Sequence, residues 1–177
     1  VIVLTTGNAV AMPWIKEVPA IVQNWYNGSE NGNAIARVIA EDVSHATGPE
    51  RIVLSLPDRP VMSDLDPDAF AILLRNLVEN ALRHGAPASP VDVALRADGT
   101  LVVANDGPVV PAKKLGRLTN RFERANSAGD GSGLGLAIVA AIAERTECRL
   151  ELRSPREGRS SGFEARFSLF PMNGDRR

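Results

Sequence analysis

The chain has 177 residues, room for one good domain or one plus a fragment. Its 44% hydrophobic and 23% charged residues exclude wholesale disorder, and a net charge of −1 excludes an overall field pulling it onto nucleic acid or anionic lipid. The single cysteine, Cys148, excludes an internal disulfide framework and a cysteine-cluster zinc site, and no run of about 18 apolar residues offers a membrane-spanning helix.

Val1–Leu4 and Ala20–Gln23 have the composition of short strands, and Asn33 to about Asp42 reads as a helix. Arg51–Leu56 alternates apolar and polar residues as a half-buried strand does. A long helix then opens at Asp66-Pro67, with Asp as N-cap and Pro at the first helical position, and runs to Arg83 or His84 before Gly85. Its apolar residues Phe70, Leu73, Leu74, Leu77 and Ala81 fall on one face, which marks the core side. Val91–Arg96 and Leu101–Ala104 form a hairpin turning at Asp98-Gly99. Leu134–Arg145 is a second strong helix, and Arg149–Arg153 with Phe163–Phe170 are a closing strand pair. The sum is an α+β chain with helices on one face of a mixed sheet.

Composition is uneven along the chain. Trp14, Trp25 and Tyr26 all lie near the N-terminus, whereas every arginine falls at or after Arg37. Residues 1–36 are therefore either a segment of separate origin or a hydrophobic N-terminal hairpin of one domain. The aromatic residues suit core or interface packing better than a sugar platform. With Val at position 1 and no signal pattern, the chain is expected to be a processed or excised piece, soluble and from a reducing compartment.

Three patches have chemical character. On the long helix, Asn76, Asn80 and Arg83 stand at i, i+4 and i+7, a polar stripe beside the core face. Asn is a mediocre helix former, so two on one stripe call for a reason. An amide oxygen can ligate Mg²⁺ and a guanidinium can meet phosphate, although a solvated face gives the same pattern. Gly131, Gly133 and Gly135 precede a helix N-terminus, where bare backbone N–H groups can approach an anion, although a hinge needs the same glycines. Asn105-Asp106-Gly107-Pro108 ends a strand in a turn that sets a polar side chain at the strand end.

The order of these patches, with Arg121-Phe122-Glu123-Arg124 between them, resembles the ATP-binding catalytic domain of bacterial sensor histidine kinases over about residues 37–171. The wider family includes Hsp90, the DNA gyrase B subunit and MutL. Arg75–His84 is similar to the family's N box, Gly131–Gly135 to its second glycine box, and the Arg-Phe-Glu-Arg stretch to the F box of the kinases. The resemblance implies a two-layer α/β sandwich of the Bergerat type, with ATP and Mg²⁺ as cofactors. It implies that Asn80 coordinates Mg²⁺ with Asn76 beside it, that Arg83 touches phosphate, and that His84 lies on the sugar or base side. Glu79 would accept the proton of an incoming histidine. Gly107 would let the chain approach adenine, and Gly131, Gly133 and Gly135 would hold phosphates beneath a lid of about residues 112–130. Arg121, Arg124 and Leu134 complete the implied nucleotide-binding set. The implied partners are a histidine phosphoacceptor domain and a response regulator, with no nucleic acid. The implied location is cytoplasmic, as part of a membrane sensor.

The sequence departs from the family pattern at the first glycine box. Asn105 stands where the family has an adenine-binding Asp, and Val109 stands at the second glycine, so nucleotide binding should be weaker by about 1 kcal/mol. Asp106 is the substitute after a small shift. Thr119 replaces the first aromatic of the F box, and Ala125–Asp130 leaves a short lid. His45 lacks the flanks of a phosphoacceptor motif and reads as a loop residue, so the chain is a catalytic domain without its acceptor. Cys148, at a usual glycine position, reads as a structural thiol, and Arg153–Arg159 as a solvated hairpin end.

Val1–Ala36 resembles instead a stretch of the C-terminal domain of family 3 β-glucosidases, whose catalytic barrel the chain does not contain. A chimera or fusion follows, divided as residues 1–36, residues 37–171 and a tail at 172–177. Unpaired strand edges in the first segment would allow a homodimer. The alternative reading is a chimeric or interaction module with weakened nucleotide binding and no activity of its own.

Overall fold

The computed structural model describes residues 2–5, 21–24, 51–59, 61–87, 89–119 and 134–171. The expected Asn33–Asp42 helix and His45 lie outside these residues. Strands β1 (Ile2–Thr5) and β2 (Ile21–Asn24) form a two-stranded sheet in which Ile2 faces Ile21 and Thr5 faces Asn24. The pairing is parallel, so this segment is not the hairpin that composition alone allowed; a tight hairpin would pair antiparallel.

The remainder is a five-stranded sheet in the order β3-β4-β5-β7-β6. Its strands are β3 (Ile52–Ser55), β4 (Val91–Leu95), β5 (Thr100–Asn105), β6 (Cys148–Arg153) and β7 (Phe163–Pro171). β3 pairs parallel to β4, and every other neighbour pair is antiparallel. The parallel step follows from connectivity, because α1 (Pro67–His84) crosses over between β3 and β4. The other helices are the short α2 (Ala112–Leu115) and α3 (Gly135–Arg145).

The N-terminus of α1 forms as its sequence dictates: Asp66 Oδ1 accepts from the backbone N–H groups of Asp68 and Ala69, both at 3.0 Å. All five residues of the expected apolar face are buried, joined by Ala69 and Val78. They pack with Val139 and Ile142 of α3 against Val91, Val93 and Leu95 of β4, Leu101 and Val103 of β5, and Ala165, Phe167 and Leu169 of β7. Complete burial of a side chain such as Leu73 or Phe167 contributes roughly 1.5–3 kcal/mol. One sheet face is thus covered by two helices, giving the expected two-layer sandwich.

Gly85 ends α1, but not by a left-handed turn: its φ is −73°. Glycine is required there for space, since a Cβ would lie 2.6 Å from the Ala81 carbonyl oxygen and 3.2 Å from Asn105 Cβ. After α3 the left-handed residue is Glu147 (φ 55°), not Cys148. Cys148 is buried, and its thiol donates weakly to the Thr146 carbonyl at 3.5 Å.

The opposite sheet face is polar. Asp92, Ala104, Glu164 and Arg153 stand in register across four strands, with Val102, Arg166 and Glu151 in the next row. The β6–β7 loop folds back over this face, contrary to the expected solvated end. Arg156 spans from Asp92 to Asp106, and Glu157 meets Arg153, Arg166 and Arg96. Glu164 is 4% exposed and accepts from Arg166 Nε and the Glu157 N–H.

Candidate functional site

The polar stripe of α1 borders two chain segments brought in from elsewhere. At its N-terminal end, Asn76 is half-buried and donates Nδ2–H to the Ile72 carbonyl at 2.8 Å. That bond leaves Asn76 Oδ1 turned toward Gly135, where a Cβ would stand 3.2 Å from it. A glycine at the start of α3 thus lets that helix N-terminus come against the middle of α1. Leu134, at the N-cap, makes no side-chain cap, so the first-turn N–H groups of α3 have no such acceptor.

One turn beyond Asn76 lies Asn80, also half-buried, and then Arg83 and His84, both exposed. Partial desolvation of the His84 ring, and secondly the neighbouring Arg83 charge, lower its pKa from the ordinary 6.5. Glu79, exposed beside Asn80, is ion-paired to Arg75 at 2.9 Å.

At the far end the β5 terminus closes the row. A Cβ on Gly107 would lie 3.2 Å from the His84 carbonyl oxygen, and the Ala86 N–H donates to the Asp106 carbonyl at 2.8 Å. Asn105 is 3% exposed; its Nδ2–H donates to the Asp106 carbonyl at 3.0 Å, while its Oδ1 is buried with no partner among the described residues. An unpaired buried amide oxygen costs about 1–3 kcal/mol. The Asp106 carboxylate is turned away onto Arg156 at 3.3 Å. Of the two candidates at this strand end, Asp106 is engaged by Arg156 through Oδ1, and Asn105 is the buried one whose oxygen is unpaired among the described residues.

The structure thus brings Gly135, Asn76, Asn80, Arg83, His84, Asn105 and Gly107 into one row along α1. From Asn76 to His84 the helix rises about 12 Å, a span matched to a nucleoside triphosphate. Arg121, Arg124, Gly131 and Gly133 lie outside the described residues, as does most of the expected lid. Its near end is anchored, because α2 is followed by Leu118, which is buried in the core. Among the described residues no group of three or more His, Cys, Asp or Glu side chains could hold a metal. A hard cation here would need an amide oxygen such as that of Asn80 together with ligand phosphate oxygens, a donor set that suits Mg²⁺. Sequence reasoning missed Arg156. Its partners lie 64 and 50 residues away, and only the charge-rich loop itself was visible.

The fold is a two-layer α+β sandwich with a row of polar groups along one helix, the architecture of an ATPase domain. The chain belongs to the histidine kinase-, DNA gyrase B- and HSP90-like ATPase family, whose model matches residues 65–172. It is similar to the probable sensor kinase SilS of Salmonella typhimurium, 33% identical over 136 residues that cover 71% of this chain and 27% of that protein. The chain thus spans less than a third of this relative's length. Among solved structures it resembles a mycobacterial sensor histidine kinase, MprB, with a TM-score of 0.67, 22% identity, and coverage of 76% of this chain and 92% of that one. Residues 1–47 match instead the glycosyl hydrolase family 3 C-terminal domain. Over 44 residues, 25% of this chain and 6% of the relative, they are 54% identical to the β-glucosidase BoGH3A of Bacteroides ovatus.

Proposed function

We propose that this is the Mg-ATP-binding catalytic domain of a two-component sensor histidine kinase, fused to a glycosidase-derived N-terminal segment. The observation that carries the reading is the row from the α3 N-terminus, which no described side chain caps, past Asn76 and Asn80, to the Asn105 oxygen, which is unpaired among the described residues. Its two ends match the two ends of ATP. N–H donors at α3 suit phosphate, and an acceptor at β5 suits the adenine amino group.

In this reading Asn80, with phosphate oxygens, holds Mg²⁺, which when bound neutralises phosphate charge. Asn76 orients the chain beside it, and Arg83 neutralises phosphate directly. His84 and Gly107 border the sugar and base. Glu79 takes the N–H proton of an acceptor imidazole as its nitrogen bonds to the γ-phosphorus and the bond to the β-phosphate oxygen breaks, releasing ADP. Glu79 is ion-paired to Arg75 one helical turn back, which orients its carboxylate. The acceptor histidine comes from another domain or chain, and the response regulator follows.

The two family matches, residues 1–47 and 65–172, support a fusion. β3 pairs with β4, so the ATPase unit includes residues from Arg51 onward, whose carbonyl accepts from Val91 N–H at 2.8 Å. Homodimerisation through the edges of β1 and β2 is part of the same proposal, as is a cytoplasmic location.

Transfer of labelled γ-phosphate to an isolated phosphoacceptor hairpin added in trans tests the activity. Glu79→Gln should cut transfer by about 10²-fold or more while leaving ATP-analogue affinity within about twofold. Full transfer by this variant would remove Glu79 from the chemistry.

A further inference from the structure

The β6–β7 loop is tied to the strand end that carries Asn105 by more than one bond. Gly162 N–H donates to the Gly107 carbonyl at 2.8 Å, and Ser154 Oγ accepts from Val110 N–H at 2.9 Å while donating to the Gly162 carbonyl at 2.6 Å. Across this frame Arg156, with a side chain only 15% exposed, sets one nitrogen on Asp92 and the other on Asp106 Oδ1 at 3.3 Å. Asp106 is the residue whose carbonyl holds Asn105 Nδ2.

An asparagine amide presents a donor on one side and an acceptor on the other, and rotation by half a turn exchanges them. Which side faces a ligand is decided by what holds the other. Here the nitrogen is held by the Asp106 peptide, and the oxygen has no partner among the described residues. That peptide is in turn fixed by the Ala86 N–H on its carbonyl and by Arg156 on its side chain.

We infer that Arg156 is a positioning residue for base selection: through Asp106 it locks the Asn105 amide with its oxygen toward the nucleotide, favouring a 6-amino purine over a 6-oxo purine. The inference rests on the nucleotide reading above. An aspartate at position 105 could only accept, whereas an asparagine needs this external lock to behave as an acceptor. Without it the amide turns over and offers its N–H to a 6-oxo group.

The test compares Mg-ATP and Mg-ITP affinities of the chain, Arg156→Gln, Asp106→Ala and the double variant, by calorimetry. The unaltered chain should prefer ATP, and Arg156→Gln should narrow the ATP:ITP ratio by about fivefold, the scale of one net hydrogen bond. Asp106→Ala should narrow it equally, and the double variant no further. General loosening of the domain would weaken both nucleotides together and leave the ratio unchanged, which overturns the inference. Additive effects in the double variant would also overturn it, by routing Arg156 through Asp92 alone. Should Arg156→Gln not fold, Asp106→Ala, at a half-exposed side chain, decides alone. ATP binding without preference over ITP refutes the lock and leaves the nucleotide reading standing; no binding of either refutes both.

Discussion

Two glycines of the β6–β7 loop share a left-handed backbone but not a neighbourhood, which makes them a paired test of the loop's docking. Gly158 has φ 71° and nothing within 4 Å of where a Cβ would be. Gly162 has φ 87°, and a Cβ there would lie 2.6 Å from the Asn105 backbone oxygen and 3.0 Å from Arg156 Cδ. Alanine at Gly158 should cost only the left-handed penalty, about 1 kcal/mol. Alanine at Gly162 adds displacement of a carbonyl on the residue in register with Phe163, for a total of about 3 kcal/mol. For a unit of this size that is a fall in Tm of about 4 °C for Gly158→Ala against about 12 °C for Gly162→Ala. Urea and thermal unfolding followed by far-UV circular dichroism measure both. Equal losses in the two variants would mean that the loop does not lie against Asn105, and the tie from Arg156 to that strand end would fail with it.

Protonation of His84 gives a second test. Its lowered pKa means that the unfolded chain binds a proton more readily than the folded one, so stability should fall as pH drops below about 6.5 and the slope should flatten in His84→Gln. An unchanged slope in that variant, measured by urea unfolding between pH 7.5 and pH 5, would assign the effect elsewhere. Replacing Glu147, left-handed at φ 55° after α3, by glycine should raise stability by about 0.5–1 kcal/mol, read as an increase in the urea midpoint. A loss instead would mean that the Glu147 side chain has a stabilising contact outweighing its backbone strain.

What could be read from the sequence was mostly local. The Asp66-Pro67 start of α1, its buried face and the β4–β5 hairpin depend on neighbours within a few residues, and the chain spells them out. The N-box stripe was legible for the same reason, since helical spacing alone aligns Asn76, Asn80 and Arg83. Gly85 was legible as a helix end, but the crowding by Asn105 that demands glycine there involves a strand twenty residues on. The parallel pairing of β1 with β2 could not be read, because strand composition does not encode direction. Nor could the return of Arg156 onto Asp92 and Asp106, which turns a run of surface charges into a clasp over the sheet. Of the candidate site, the residues were visible and their orientation was not. Only the three-dimensional arrangement shows that the Asn105 oxygen is buried and unpaired among the described residues while Asp106 is engaged by Arg156.

If Asn80 is the metal ligand of the nucleotide site, ATP binding depends on both Asn80 and Mg²⁺. Calorimetric titration of a non-hydrolysable ATP analogue, with and without Mg²⁺, on this chain and on Asn80→Ala tests it directly. Binding should depend on Mg²⁺ and weaken at least tenfold in Asn80→Ala, a loss of about 1.4 kcal/mol or more. Equal affinity in the two proteins would contradict Asn80 as the metal ligand, and no binding by the folded parent chain would contradict the nucleotide function altogether.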